Sequence, residues 1–373
     1  MRKIAACLLA GLILVSCVGV YASSAGSDLL VTLDYFQNTW LPGLSAKADE
    51  RVEQQAQAAY QAALGELDAA HSAYLGGEGG SSARLSDQRF KRGDVGSLST
   101  GSTAMLWAGS AGVNYTGAGA VDVTAGQVLP SGSGLPARHR CMAAEDTTLL
   151  LTITSDTAVL SLEGRYTVTP GTGVDYNALA DALNAMGLFQ GTGTAYGSGY
   201  DLEVAPTRIV GLVMFLRLIG EEQAALASTA PDPFADTPDW CERYVAYAYE
   251  KGYTKGIGPG MDGRLYFGTN TPISAGEYVS FLLRALGYTD ADFDWTNALS
   301  RAVEFGVLNS AEQAVLTSSP FLRAQVVYLS YFGLSAPLKD GSGVLLDKAA
   351  AQGGVDGALA RSVMAGGTVT RLS

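Results

Sequence analysis

The residues able to do covalent chemistry are few and poorly placed for it. His71 and His139 are the two histidines among 373 residues. They fall in stretches of different character, so a serine or cysteine triad is not expected. GxSxG and P-loop sequences are absent. Gly258-Pro-Gly-Met-Asp-Gly263 satisfies GxGxxG in its letters. It neither follows a strand pattern nor opens a helix, and Pro259 removes an amide that would hold phosphate. Asp290, Asp292 and Asp294 imitate the start of a calcium loop. Trp295 then stands where the loop needs glycine and Arg301 where it needs glutamate, so a solvated turn is the expectation. Glu145-Asp146 and Glu221-Glu222 are neighbours in sequence and point apart. The expectation is a protein that is not an enzyme and has no cofactor and no metal. A glycosidase carboxylate pair drawn from distant positions is left open.

Cysteine use agrees. Cys141 and Cys241 are the cysteines outside the N-terminal leader, with no CxxC. They are expected as two small buried residues.

What remains is binding, and the elements that could position it follow from composition and periodicity. Charged residues make up 16%, there are 46 glycines, and the formal charge is −12. That balance argues against nucleic acid and anionic membrane surfaces as partners. Residues 1–22 read as a signal peptide: Arg2-Lys3, an apolar stretch from Ile4 to Val15, and small residues at Val20-Tyr-Ala22. A lipobox reading of Leu14-Val-Ser-Cys17 stays open beside it, with Cys17 as the lipidated residue. No stretch approaches the ~20 apolar residues of a lasting span, so no integral membrane segment is expected.

The fold class expected is multidomain α+β. Residues 28–76 form an N-terminal helical segment, broken at Leu41-Pro-Gly, with Ser45 as a helix cap. Val52, Ala56, Tyr60, Ala63, Leu67, Ala70 and Tyr74 make one stripe on it. Residues 77–86 are glycine- and serine-rich and read as a linker. Residues 87–170 carry short threonine- and valine-rich runs between turns, as an all-β sandwich or barrel does. Residues 174–335 return to helices, and residues 336–373 read as a loosely packed tail.

Within the helical region a unit of about 55 residues stands out at 232–288. Phe234-Ala-Asp236 precedes a helix led by Trp240 and ended by Gly252. A loop with Gly256, Gly258, Gly260 and Gly263 follows, then Pro272, Glu277 and Leu286-Gly287. Similar units flank it at 174–228 and 292–335, with helix-ending glycines 187, 252 and 306. Repeats of this size bury their helices by packing together. The middle unit resembles the S-layer homology (SLH) repeat of bacterial cell-envelope proteins, which has an FxD-like start, a tryptophan-led helix, a glycine loop, a TRAE-like helix start and a closing leucine-glycine. The resemblance covers a little under half the chain. The first unit lacks the FxD start and the third lacks the closing glycine at its offset.

The resemblance implies an exported, non-catalytic protein of the cell wall or cell surface. Its partner would be pyruvylated secondary cell-wall polysaccharide, held in grooves between repeats, with envelope proteins as further partners. A pyruvate-ketal carboxylate calls for a fixed cation and amide donors, which an arginine at a helix start supplies. Thr207-Arg208 and Leu322-Arg323 match the TRAE-like position, so Arg208 and Arg323 are the implied ligand residues, with Thr207 beside the first. Ser274-Ala275 stands at that position in the middle unit and lacks the cation. Asp236 and Trp240 match positions near the groove. A helix cap is the plainer role for Asp236, and a core anchor for Trp240. A lipid-anchored scaffold with degenerate repeats, or less readily a polysaccharide-acting enzyme, remains as the alternative.

Overall fold

The structure is a computed structural model that describes residues 33–74 and 80–373. The expected signal peptide, with Cys17, lies outside the described residues. The chain divides into two compact units between Gly76 and Gly77.

The first unit is helical. A turn at Leu33–Tyr35 and a π-helical stretch at Phe36–Trp40 run into helix α1, Leu41–Tyr74. The expected break at Leu41-Pro-Gly is not there. Pro42 falls in the first turn of α1, where a missing N–H is tolerated. The wider π turn lies where the proline ring would meet the carbonyl of residue 38. Val52 and Tyr60 of the apolar stripe are exposed.

The second unit opens with nine strands: β1 (Gly80–Lys91), β2 (Val95–Leu98), β3 (Thr103–Ala108), β4 (Ala111–Thr116), β5 (Ala120–Asp122), β6 (Gln127–Leu129), β7 (Arg140–Ala143), β8 (Thr148–Ile153) and β9 (Thr157–Thr169). They form one antiparallel sheet in the order β4-β8-β2-β9-β3-β7-β5-β6, with β1 also paired to β9. After β6 the chain returns to β4: Val113 N–H donates to the Ser133 carbonyl at 2.8 Å and Leu135 N–H to the Ala111 carbonyl at 2.8 Å. The sheet is thereby a nearly closed barrel. Burial alternates along β2, β7 and β8, as a period of two requires when one face is inside. Leu98, Leu106, Leu149, Leu151, Leu160 and Leu162 fill the interior. Residues 80–86 belong to β1 rather than to a linker, pairing from Gly80 with Tyr166 onward.

The rest of the unit is helical: α2 (Tyr176–Ala185), α3 (Arg208–Leu218), α4 (Glu222–Ala227), α5 (Glu242–Glu250), α6 (Ala275–Ala285), α7 (Ala298–Glu304), α8 (Ser310–Ser318), α9 (Arg323–Gly333), α10 (Leu345–Ala351) and α11 (Gly357–Ala365). A two-residue hairpin, β10 (Gly258–Pro259) with β11 (Leu265–Tyr266), lies between α5 and α6. One apolar core runs through all of it, with Phe215, Tyr278, Phe281 and Val326 at or below 1% exposure.

Two more features depart from the sequence expectation. The stretch 336–373 is not loose. Leu345, Leu346, Ala349 and Ala360 are buried in the same core. Arg371 near its end donates to the fully buried Glu312 at 2.6 and 2.8 Å. Further, the barrel and the helices belong to one compact unit. Trp107 stacks on Tyr196 at 5.4 Å and 9°. Arg89 grips Asp181 with two bonds of 2.9 and 2.7 Å. The Asn177 amide donates to the Phe90 carbonyl at 3.1 Å.

Candidate functional site

Three helix starts decide where a cation can meet a ligand. α3 is capped by Thr207, whose hydroxyl accepts from Val210 N–H. α6 is capped by Ser274, whose hydroxyl accepts from Glu277 N–H while the Glu277 carboxylate accepts from Ser274 N–H at 2.8 Å. This reciprocal box satisfies two orphan donors and fixes the Glu277 side chain. The other Glu277 oxygen then accepts from Arg208 Nη1. Thr207 and Ser274 are thus positioning residues: one orients the helix that begins with Arg208, the other orients the carboxylate that meets it.

Arg208 is 5% exposed. Its Nη2 reaches the Gly256 carbonyl at 3.4 Å, and its guanidinium lies 5.3 Å from the Phe267 ring centre and 5.8 Å from that of Phe281. Its Nε hydrogen has no partner. Burial pulls the guanidinium pKa below its ordinary value, and the Glu277 carboxylate pulls it back. A buried charge this close to a carboxylate keeps its proton, so the unused Nε–H is a donor with a full charge behind it.

Arg208 lines a groove of about 570 Å³. Lys255 to Gly258, Glu277, Ser280, Phe281, Arg284, Asp290, Phe293, Asp294 and Trp295 also line it. Trp295 is 61% exposed and offers a flat apolar face. Gly256 shapes the lining: its φ is +72°, and a Cβ there would lie 2.3 Å from the Tyr266 carbonyl. Only glycine adopts that turn without cost at such an approach.

Arg323 opens α9 as Arg208 opens α3, yet its surroundings differ. It is 4% exposed, and its donors end on the protein's own atoms. Nε donates to the Tyr200 carbonyl at 2.9 Å, Nη2 to the Gln190 carbonyl at 3.1 Å and Nη1 to the Met214 sulfur at 3.5 Å, over the Phe189 ring at 5.3 Å. Arg208 meets the Glu277 carboxylate at the start of α6, whereas Arg323 meets two backbone carbonyls and the Met214 sulfur of α3. The barrel also reaches α9, where Gln325 donates to Asp156 at 2.7 Å. Arg323 is therefore a structural cation, in correction of its implied ligand role.

Asp236 and Trp240 also take other places. The Asp236 carboxylate accepts from Phe267 N–H at 2.6 Å, Gly268 N–H at 2.8 Å and Thr269 N–H at 3.0 Å. It clamps the chain that leads from the hairpin to α6 and does not cap α5, whose cap residue is Cys241. Trp240 is 64% exposed, so it anchors no core, and it is not among the groove's lining residues. Sequence reasoning missed Lys255, Glu277 as a groove residue, Arg284, Asp290 and Trp295. A signal existed for two of them. Glu277, Ser280, Phe281 and Arg284 fall at i, i+3, i+4 and i+7 and so share one helix face.

No protein-family model matches the chain. A cell surface protein of Thermoanaerobacter kivui is 27% identical over 142 residues, which is 37% of this chain and 18% of that protein. The chain therefore matches less than a fifth of the length of that relative. Among the described residues no helix is long and apolar enough to cross a membrane.

Proposed function

We propose that this chain is a non-catalytic bacterial cell-surface protein that holds secondary cell-wall polysaccharide in the Arg208 groove, with residues 174–335 acting as three SLH-type repeats. The observation that carries this reading is the Arg208 side chain. It is a cation beside the groove, fixed by Glu277 and two aromatic rings, with its Nε–H buried and unpaired. A groove lined by Arg208, Lys255 and Arg284 suits an anionic ligand, and a pyruvylated sugar with its ketal carboxylate is one. Trp295 in the groove's lining suits the apolar face of a pyranose ring, and Lys255 and Arg284 add positive charge. The similarity to a protein named for the cell surface supports the location. One groove of this kind gives monovalent attachment rather than the multivalent hold that three equivalent grooves would give.

The test is co-sedimentation of the mature chain with purified wall sacculi, before and after hydrofluoric acid removes their secondary polymer. Binding that disappears with the polymer, and with Arg208→Ala, is the expected result. Binding that survives both changes would sink the proposal.

A further inference from the structure

The groove contains a carboxylate that mimics its ligand. Asp290 sits in the turn between α6 and α7 and is half exposed. Its carboxylate pairs with Lys255 Nζ and accepts from Arg284 Nη2 at 3.1 Å. Arg284 is fixed from behind, with Nη1 on the Tyr253 carbonyl at 3.0 Å and its guanidinium 5.6 Å from the Phe293 ring centre. Lys255 is exposed. The turn itself is tied beside Asp290, not through it: the neighbouring Asp292 carboxylate accepts from Thr289 N–H at 2.7 Å and from Lys339 at 2.7 Å. The Asp290 side chain can therefore swing out without unmaking the turn.

We propose that Asp290 is a tethered competitor, and that the ligand's carboxylate takes its place between Lys255 and Arg284. This rests on the reading of the groove as a glycan site. The groove's cations are paired within the chain, Arg208 with Glu277 and the other two with Asp290. A free small carboxylate must then compete with one held at high effective concentration by the chain, and it loses. A carboxylate carried on a sugar brings a further contact, the ring against the exposed Trp295 face, and it wins. The exchange replaces one carboxylate by another beside Lys255 and Arg284, so the mostly buried Arg284 is not left without an anion. The groove thus selects acidic glycans over the simple organic acids that share their charged group.

The experiment is calorimetric titration of the mature chain with a methyl glycoside bearing a 4,6-linked pyruvate ketal, repeated with acetate as competitor. The variants are Asp290→Asn and Arg208→Ala. Asp290→Asn is expected to bind the glycoside about threefold tighter and with a steeper salt dependence. Millimolar acetate is expected to displace the glycoside from that variant and not from the unaltered chain. Weaker or unchanged binding by Asp290→Asn, with unaltered melting, overturns the inference: Asp290 is then a ligand contact or a bystander. If the unaltered chain binds and Arg208→Ala does not, that result leaves the glycan reading standing. If the unaltered chain fails to bind the glycoside at all, the glycan reading and this inference fall together.

Discussion

The two arginines that look alike in sequence should separate cleanly when each is removed. Arg208→Ala deletes a charged donor that lines the groove. A hydrogen bond to a charged group contributes roughly 1.5–3 kcal/mol. At about 1.4 kcal/mol per tenfold, that is a loss in glycan affinity of roughly 10- to 150-fold. It also leaves Glu277 without its cation, but Glu277 keeps the two Ser274 bonds at 2.8 and 3.0 Å and is partly solvated. The stability cost is therefore expected near the lower end of the ~3–5 kcal/mol seen for broken buried pairs. Arg323→Ala removes no groove donor. It strands the carbonyls of Tyr200 and Gln190 and opens a void beside Phe189. Two unsatisfied carbonyls at ~1–3 kcal/mol each give a cost near 4 kcal/mol. The unit spanning 77–373 has an expected unfolding entropy of ~0.6 kcal/mol/K, so melting should fall by about 6 °C. Affinity below that melting point should be unchanged. Both variants are measured by calorimetric melting and by binding to wall polymer. The reasoning fails if Arg323→Ala loses binding while folded, or if folded Arg208→Ala keeps full affinity.

Three further outcomes follow from the same geometry. Asp236→Ala frees three backbone N–H groups between the hairpin and α6. It should cost ~3 kcal/mol in thermal or urea unfolding, with hydrogen exchange accelerated first at residues 267–269. Removal of residues 366–373 deprives the buried Glu312 carboxylate of Arg371. After discounting for the partial exposure of Arg371, a loss of ~2 kcal/mol and about 3 °C of melting temperature is expected by scanning calorimetry. Burial pushes the Cys141 thiol up to about 12 from its ordinary 9.0, with Asp122 adding to it, and the Cys241 thiol to about 11. Neither should react with Ellman's reagent until denaturant is added. A raised thiol pKa means the folded state holds its proton longer than the unfolded one. The stability it contributes is whole below pH 9.0 and is lost as the pH climbs from there toward about 12, which alkaline melting curves would record.

The sequence was most legible where one period rules a stretch. Short threonine- and valine-rich runs between turns marked 87–170 as a β module, and one antiparallel sheet forms there. Gly187, Gly252 and Gly306 marked helix ends, and each takes a positive φ just beyond a helix. Illegible features were those set by a distant partner. Arg208 and Arg323 share a local pattern, and the difference lies in distant partners, the Glu277 carboxylate for one and the Tyr200 and Gln190 carbonyls for the other. Asp236 looks like a cap because a cap is the nearest use for it, yet its donors lie more than 30 residues away. Composition misled at 336–373, where glycine and alanine suggested looseness. Alanine at 349 and 360 instead permits close helix approach, and glycine at 354 lies where a Cβ would collide with the Gly220 carbonyl.

The seam between barrel and helices has a mechanical meaning. Gly197 packs so near β9 that a Cβ would lie 2.6 Å from Val159, and the Trp107–Tyr196 stack and the Arg89–Asp181 fork flank it. A pull on the barrel is delivered to the helices through several bonds loaded together, with no slack strap between. If the groove is the point of attachment, the barrel stands from the wall at a set angle, like a bracket rather than a pennant.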